Sequence, residues 1–250
     1  MTHERTQGNP ARTAWSRREA LRLLGTAGAA ALAGQWPVHA QRAGPPLDCV
    51  VTPEQTEGPY FVDERLRRAD LRIDPTTEKV KPGLPLRLRI HVSRVDGSAC
   101  SPLPGAFVDV WQCDALGVYS DIRDFNGQFD TRGQKFLRGY QVTDRSGAVE
   151  FATIYPGWYR GRAVHVHVKV RFPDGARRSQ EFTSQLYFDD AITDQVHARS
   201  PYNTKGPRDT RNHRDHIFRR RDSGSGLLLR LRPHGQGYLS TFAIGLIASG

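Results

Sequence analysis

From residue 164 to residue 171 the chain sets valine at every second position, Val164, Val166, Val168 and Val170, with His165, His167, Lys169 and Arg171 between them. Side chains alternate faces along an extended strand, so this stretch specifies a β-strand with one apolar face and one face that carries two imidazoles side by side. A helix would scatter the same residues around its circumference. Leu86-Arg87-Leu88-Arg89-Ile90-His91-Val92 alternates in the same way. Strands are expected over roughly 86–94, 106–112, 136–143, 148–153, 163–172, 181–188, 226–232 and 238–247, with Gly, Pro, Asp or Asn between most of them. No stretch of comparable length reads as an amphipathic helix; short helical turns are expected near 63–70 and 190–198. With no βαβ rhythm, the pattern predicts an all-β fold, an antiparallel β-sandwich with long loops and few short helices. The segment 41–80, rich in Pro and charge, reads as an extended arm around the sandwich, and 200–225 as a long irregular excursion of the kind that often carries function.

Residues 1–40 are unlike the rest. Arg17-Arg18 precede an Ala/Gly-rich apolar run from Leu23 to Gly34, and Val38-His39-Ala40 offers small residues for cleavage. That order matches a twin-arginine export signal, which predicts a cut near Ala40, a single domain over 41–250 and a periplasmic or secreted product. The apolar run falls short of the about 20 residues that cross a bilayer, so no stable membrane anchor is expected. The competing reading is an uncleaved anchor. Such signals serve proteins exported already folded, which hints at a cofactor acquired beforehand.

The full chain carries a net charge of +10, and the 210 residues beyond the signal keep +7. The surplus is concentrated in the arginine-rich segment 207–221, which also holds His213 and His216. No nucleic-acid motif accompanies it, so a solvated basic loop that attracts anionic aromatic acids is expected rather than a nucleic-acid surface. Three cysteines, Cys49, Cys100 and Cys113, lack any C-x-x-C spacing, which excludes a zinc ribbon and allows at most one intramolecular disulfide. Their pairing is left open by spacing.

Two histidines on one strand face suit two ligands of one metal, and neutral imidazole binds iron, copper, zinc or nickel. Alone the pair is a weak signal, since any exposed polar strand face produces it, and no glutamate follows at the spacing cupins use. The neighbourhood adds two tyrosines. Pro156-Gly157-Trp158-Tyr159 is a turn able to swing Tyr159 toward the strand, and Tyr119 lies in Asp114-Ala115-Leu116-Gly117-Val118-Tyr119. Tyr60, Tyr140, Tyr155 and Tyr187 are expected to pack the sandwich or line a pocket. Asp109, Asp114 and Asp121 read as turn and strand-end residues. No phosphate-binding glycine loop, Gly-x-Ser-x-Gly elbow or Cys/His nucleophile pattern is found.

Four segments in order, Thr52-Pro53-Glu54-Gln55-Thr56-Glu57-Gly58-Pro59-Tyr60, Val108-Asp109-Val110-Trp111-Gln112-Cys113 through Tyr119, Tyr155 through Lys169, and Ser184-Gln185-Leu186-Tyr187-Phe188, resemble the successive signatures of the intradiol ring-cleavage dioxygenases. The resemblance spans roughly residues 48 to 247 and is strongest to the exported, protocatechuate 3,4-dioxygenase-like branch; the helical N-terminal dimerisation domain of catechol 1,2-dioxygenases has no room. It implies a non-heme Fe(III) held by Tyr119, Tyr159, His165 and His167. It also implies that Tyr159 is the axial ligand displaced by substrate, that Arg162 faces the substrate ring and stabilises negative charge there, and that Gln185 lies near the metal pocket. The implied reaction takes an aromatic diol and O₂ to a muconate-type dicarboxylic acid. Nucleic acid is not an expected partner; a homo-oligomer is compatible with the sequence, and the choice among catechol, protocatechuate and related diols is open. Two other classes stay in view: a non-enzymatic β-sandwich ligand-binding module, and a zinc or copper enzyme built on the His-x-His pair.

Overall fold

The computed structural model describes residues 50–174, 178–220 and 224–247; the export signal read over residues 1–40 lies outside them. Among the described residues nine strands form two sheets. The first sheet is built on β1 (Pro85–Asp96), flanked on one edge by β2 (Ala99–Pro102) and β5 (Ala148–Ile154) and on the other by β9 (Gly237–Ile247), which carries β8 (Leu231–His234). The second has the order β4 (Arg138–Val142), β3 (Phe107–Trp111), β6 (His165–Asp174), β7 (Arg178–Tyr187).

Alternation in β1 decides which face meets the core. Leu86, Leu88, Ile90 and Val92 are fully buried, while Arg87 and Arg89 point outward and pair with Glu150 across the ladder. The buried set joins Val108 and Val110 of β3 and Val166, Val168 and Val170 of β6 in one apolar cluster between the sheets. Full burial of each such side chain contributes roughly 1.5–3 kcal/mol.

The opposite face of β6 would be solvated in a bare sandwich, yet His165, His167 and Lys169 are all buried. Three segments cover them. The N-terminal arm runs along the edge of β7, where Gln55 N donates to Thr183 O at 2.9 Å, and then crosses the polar face: Glu57 pairs with Lys169 at 2.6 Å. The loop 112–137 and the excursion after residue 205 close the remaining sides.

Several local expectations are corrected. Residues 63–70 are extended rather than helical, because their backbone bridges to the sheets at Arg67↔Tyr140 and Asp70↔Ala152. The pairing of β1 with β9 is parallel, so the first sheet is mixed rather than purely antiparallel. The strand expected over 226–232 is a 3₁₀ turn at Ser225–Leu227 followed by β8, and β2 was not foreseen. The helical turn near 190–198 is α1 (Asp190–His197), capped by Asp189, whose Oδ1 accepts from Ala191 N at 2.8 Å and Ile192 N at 3.0 Å. The basic segment is not simply solvated: Arg208 and Arg211 pair with Asp190 and Asp194 of α1. Cys100 is disulfide-bonded and Cys113 is a buried free thiol.

Candidate metal centre

At the start of β6, the Nδ1–H of His165 donates to Ala163 O at 2.7 Å, which fixes the tautomer and leaves the Nε2 lone pair facing away from the backbone. That Nε2 lies 3.0 Å from His167 Nε2 and 3.2 Å from the Tyr159 hydroxyl. Tyr119 completes the cluster, its ring centroid 5.6 Å from that of Tyr159 and 6.1 Å from that of His167.

Two glycines set the tyrosines against each other. A Cβ on Gly157 would stand 2.3 Å from Ala115 O, and one on Gly117 would stand 2.1 Å from Trp158 O, so the two tyrosine loops pack backbone to backbone. Gly117 also has φ +80°, a conformation that favours glycine. Gly157 N donates to Asp114 O at 3.0 Å, and Lys205 Nζ clamps the pair by donating to Leu116 O at 2.6 Å and Trp158 O at 2.7 Å. Behind Tyr119, Thr131 Oγ1 donates to its carbonyl at 2.6 Å, and the buried Arg138 ties Ser120 to Tyr60 O. The Tyr60 ring lies 4.6 Å from that of Tyr119 and anchors its hydroxyl on Asp124 at 3.0 Å.

Electrically the four rings are neutral without a cation. Burial pushes the Tyr159 phenol up to about 12, against the pull of Arg162, and raises Tyr119 well above the usual range, with Tyr159 adding to the effect. Burial likewise lowers both imidazoles well below their ordinary value; Arg162 adds to this at His165, and His165 does so at His167. The Tyr119 hydroxyl and His167 Nδ1 are buried with no hydrogen-bond partner. An orphan of that kind costs about 1–3 kcal/mol, so the phenol oxygen is a donor atom awaiting a partner.

The residues therefore fit a metal. A trivalent ion that replaced the two phenol protons would keep one net positive charge and gain two hard anionic oxygens and two imidazole nitrogens, a set that suits Fe(III). Among the described residues no group of three or more His, Cys, Asp or Glu side chains could hold a metal, so any ion here draws on the phenols. A recess lined by Phe61, Glu64, Trp111 and Arg138 adjoins Trp111 and includes none of the four rings in its lining.

Arg162 and Gln185 join the same cluster. Arg162 Nη1 donates to the Tyr159 hydroxyl at 3.3 Å and Nη2 to Gln185 Oε1 at 2.5 Å. Gln185 sits opposite His167 in the β6–β7 ladder, and its amide donates to Thr56 O at 2.8 Å. Asp109, Asp114 and Asp121 hold local structure: Asp109 pairs with Arg171, Asp114 accepts from Leu116 N and Val118 N, and Asp121 accepts from Gly133 N. Sequence reasoning missed Asp215 and Trp111. Asp215 is hidden among arginines, and the role of Trp111 depends on a strand register that period-two patterning does not encode.

Comparisons with known proteins point to one family. The family model described as Dioxygenase matches residues 56–204. An intradiol ring-cleavage dioxygenase from Tetranychus urticae superposes with a TM-score of 0.67 at 28% identity, over 80% of this chain and 96% of that one. The dioxygenase domain of a dioxygenase carbohydrate-binding protein fusion from Streptomyces sp. SirexAA-E gives a TM-score of 0.55 at 31% identity, over 80% of this chain and 100% of that one. A catechol 1,2-dioxygenase from Candida albicans is 31% identical over 114 residues, 38% of this chain and 36% of that protein, so the match spans little more than a third of that relative's length. By its fold, its ordered motifs and these matches, the chain belongs to the intradiol ring-cleavage dioxygenase family.

Proposed function

We propose that this protein is a non-heme Fe(III) dioxygenase that cleaves catechol-type diols between their two hydroxyl-bearing carbons, with Tyr119, Tyr159, His165 and His167 as the metal ligands. The observation that carries the reading is the buried, unpartnered Tyr119 hydroxyl beside two neutral imidazoles and a second phenol. When bound, the ion would supply a Lewis-acidic anchor for both diol oxygens.

The chain's own residues divide the remaining work. Tyr119 is fully buried and pinned against Tyr60, whereas Tyr159 is only half-buried and sits on a turn. Tyr159, the less buried of the two phenols, would be the ligand to give way to a diol, and its raised proton affinity suits it to hold a proton that the diol gives up. Arg162 holds the Tyr159 hydroxyl and offers a fixed positive charge where negative charge develops on the ring. His165 is kept in one tautomer by Ala163 O. One diol and one O₂ combine to one muconate-type dicarboxylic acid; a C–C bond breaks, both oxygen atoms enter the product, and no external reductant is needed.

The expected protein is red-brown, with a visible tyrosinate-to-Fe(III) band, and both atoms of isotopically labelled O₂ appear in the dicarboxylic product. Tyr119→Phe is expected to lose the iron and the band. A colourless wild type that holds zinc or copper, or no metal at all, would sink this reading in favour of another metalloenzyme or a binding module. The twin arginines and the cleavage-compatible Ala40 support export of the folded protein, which N-terminal sequencing of the periplasmic or secreted form tests.

A further inference from the structure

The basic excursion delivers one fully buried acid to the metal strand. Asp215 has no exposed side-chain surface, and its two oxygens serve different partners. Oδ1 accepts from Ile217 N at 2.7 Å and Phe218 N at 3.0 Å, closing the turn that follows. Oδ2 accepts from Ala163 N at 2.7 Å and from Arg162 Nε at 2.8 Å. The guanidinium is planar, so holding its Nε edge at Asp215 and its Nη2 at Gln185 fixes the direction of Nη1.

Resting on the functional reading above, we propose that Asp215 is a positioning residue: through Oδ2 it orients Arg162 so that Nη1 faces the Tyr159 hydroxyl. The same oxygen also ties the N–H of Ala163, the residue whose carbonyl holds His165, so one carboxylate sets the orientation of both the arginine and the strand entrance. Only a carboxylate can do this. An asparagine has one accepting oxygen, and its amide N–H₂ would confront N–H donors on whichever side the oxygen did not serve. The capping half of the role needs Oδ1 alone, which makes the Arg162 half separable by experiment.

The test uses the iron-loaded full chain as wild type, Asp215→Asn, Arg162→Ala and the double variant, with catechol as the probe. Asp215→Asn is expected to keep its iron and visible band, to lose kcat by roughly tenfold or more and to change KM little. In the Arg162→Ala background the same substitution is expected to cost a clearly smaller factor in kcat than in wild type, because only the Ala163 N contact is left for it to break. Equal losses in both backgrounds, or full turnover by Asp215→Asn, would overturn the proposal. If wild type cleaves no diol, the functional reading fails separately, and unfolding of the same four proteins judges the pair: additive losses overturn it and non-additive losses uphold it. Should Asp215→Asn fail to fold, Asp215→Glu, which keeps the charge and shifts it by one methylene, replaces it with the same non-additivity expected.

Discussion

Trp111 lies flat on His167, ring centroids 4.7 Å apart and planes 8° from parallel. The contact follows from the β3–β6 ladder, in which these two residues stand opposite each other. On another flank His167 meets Gly58, where a Cβ would come within 3.3 Å of Cε1. The imidazole thus has one plane open to it even though its Nδ1 lacks a hydrogen-bonding partner. Under the proposed function, Trp111→Leu is expected to free that plane and weaken iron binding roughly tenfold or more, the scale on which support behind a metal ligand acts. Competition with a chelator measures this, and unchanged affinity would show that β3 does not orient the ligand.

Gly157→Ala is expected to damage the site without touching any of the four rings. Its new Cβ would press on Ala115 O from 2.3 Å, against backbone that cannot swing away. Crowding of this kind costs about 1–3 kcal/mol and would part the loops bearing Tyr119 and Tyr159. Urea unfolding and iron content should fall together. Gly226→Ala, where nothing lies within 4 Å, serves as the control and should change neither.

These two cases mark what patterning could and could not reveal. Period-two alternation located β1, β6 and β9 because one face of each is apolar, but alternation has no direction, so the parallel pairing of β1 with β9 stayed hidden. Glu64-Arg65-Leu66-Arg67-Arg68 has the composition of a helix, yet its backbone bonds go to the sheets and Arg65 has φ 51°. Motif order named the four rings and Arg162. It could not name Asp215, whose carboxylate reaches Arg162 across 53 positions of sequence from inside a run of arginines. Nor could it assign Trp111 to His167, since that needs the register of β3 on β6.

His197 gives the protein a pH dependence that can be isolated. Its Nε2 donates to Pro156 O at 3.0 Å, bracing the turn that carries Tyr159, and its ring stacks on Tyr202. Burial lowers its pKa; nearby Arg208 and Lys205 act the same way, while the Pro156 bond and Asp194 oppose them. A folded value below the unfolded one, about 6.5, means the unfolded chain binds the proton more tightly. The stability His197 contributes is therefore present above about pH 6.5 and lost as pH falls through the folded value. The unfolding free energy from urea titration should drop between about pH 7.5 and pH 5.5, by at most about 1.4 kcal/mol per pH unit from this group. His197→Phe should flatten that part of the decline; an identical slope would assign it elsewhere.

The arginines that secure the excursion to α1 should differ sharply in what they contribute. Arg208 is almost fully buried, with 5% of its side chain exposed; it reaches both carboxylates of Asp190 and Asp194 and donates to Asp190 O at 2.9 Å. Arg211 is 47% exposed and pairs with Asp194 at 2.8 Å. Removing a buried partner strands the opposing charges, which costs about 3–5 kcal/mol, whereas an exposed pair is worth about 0–1 kcal/mol. Asp190 and Asp194 keep partial contact with water, so Arg208→Met is expected near the lower end of the buried range and Arg211→Met below 1 kcal/mol. Because the segment that Arg208 anchors also presents Asp215 to Arg162, Arg208→Met should lower kcat for catechol as well as stability, while Arg211→Met should leave kcat unchanged. Equal stability losses for the two variants would mean that burial does not separate their roles.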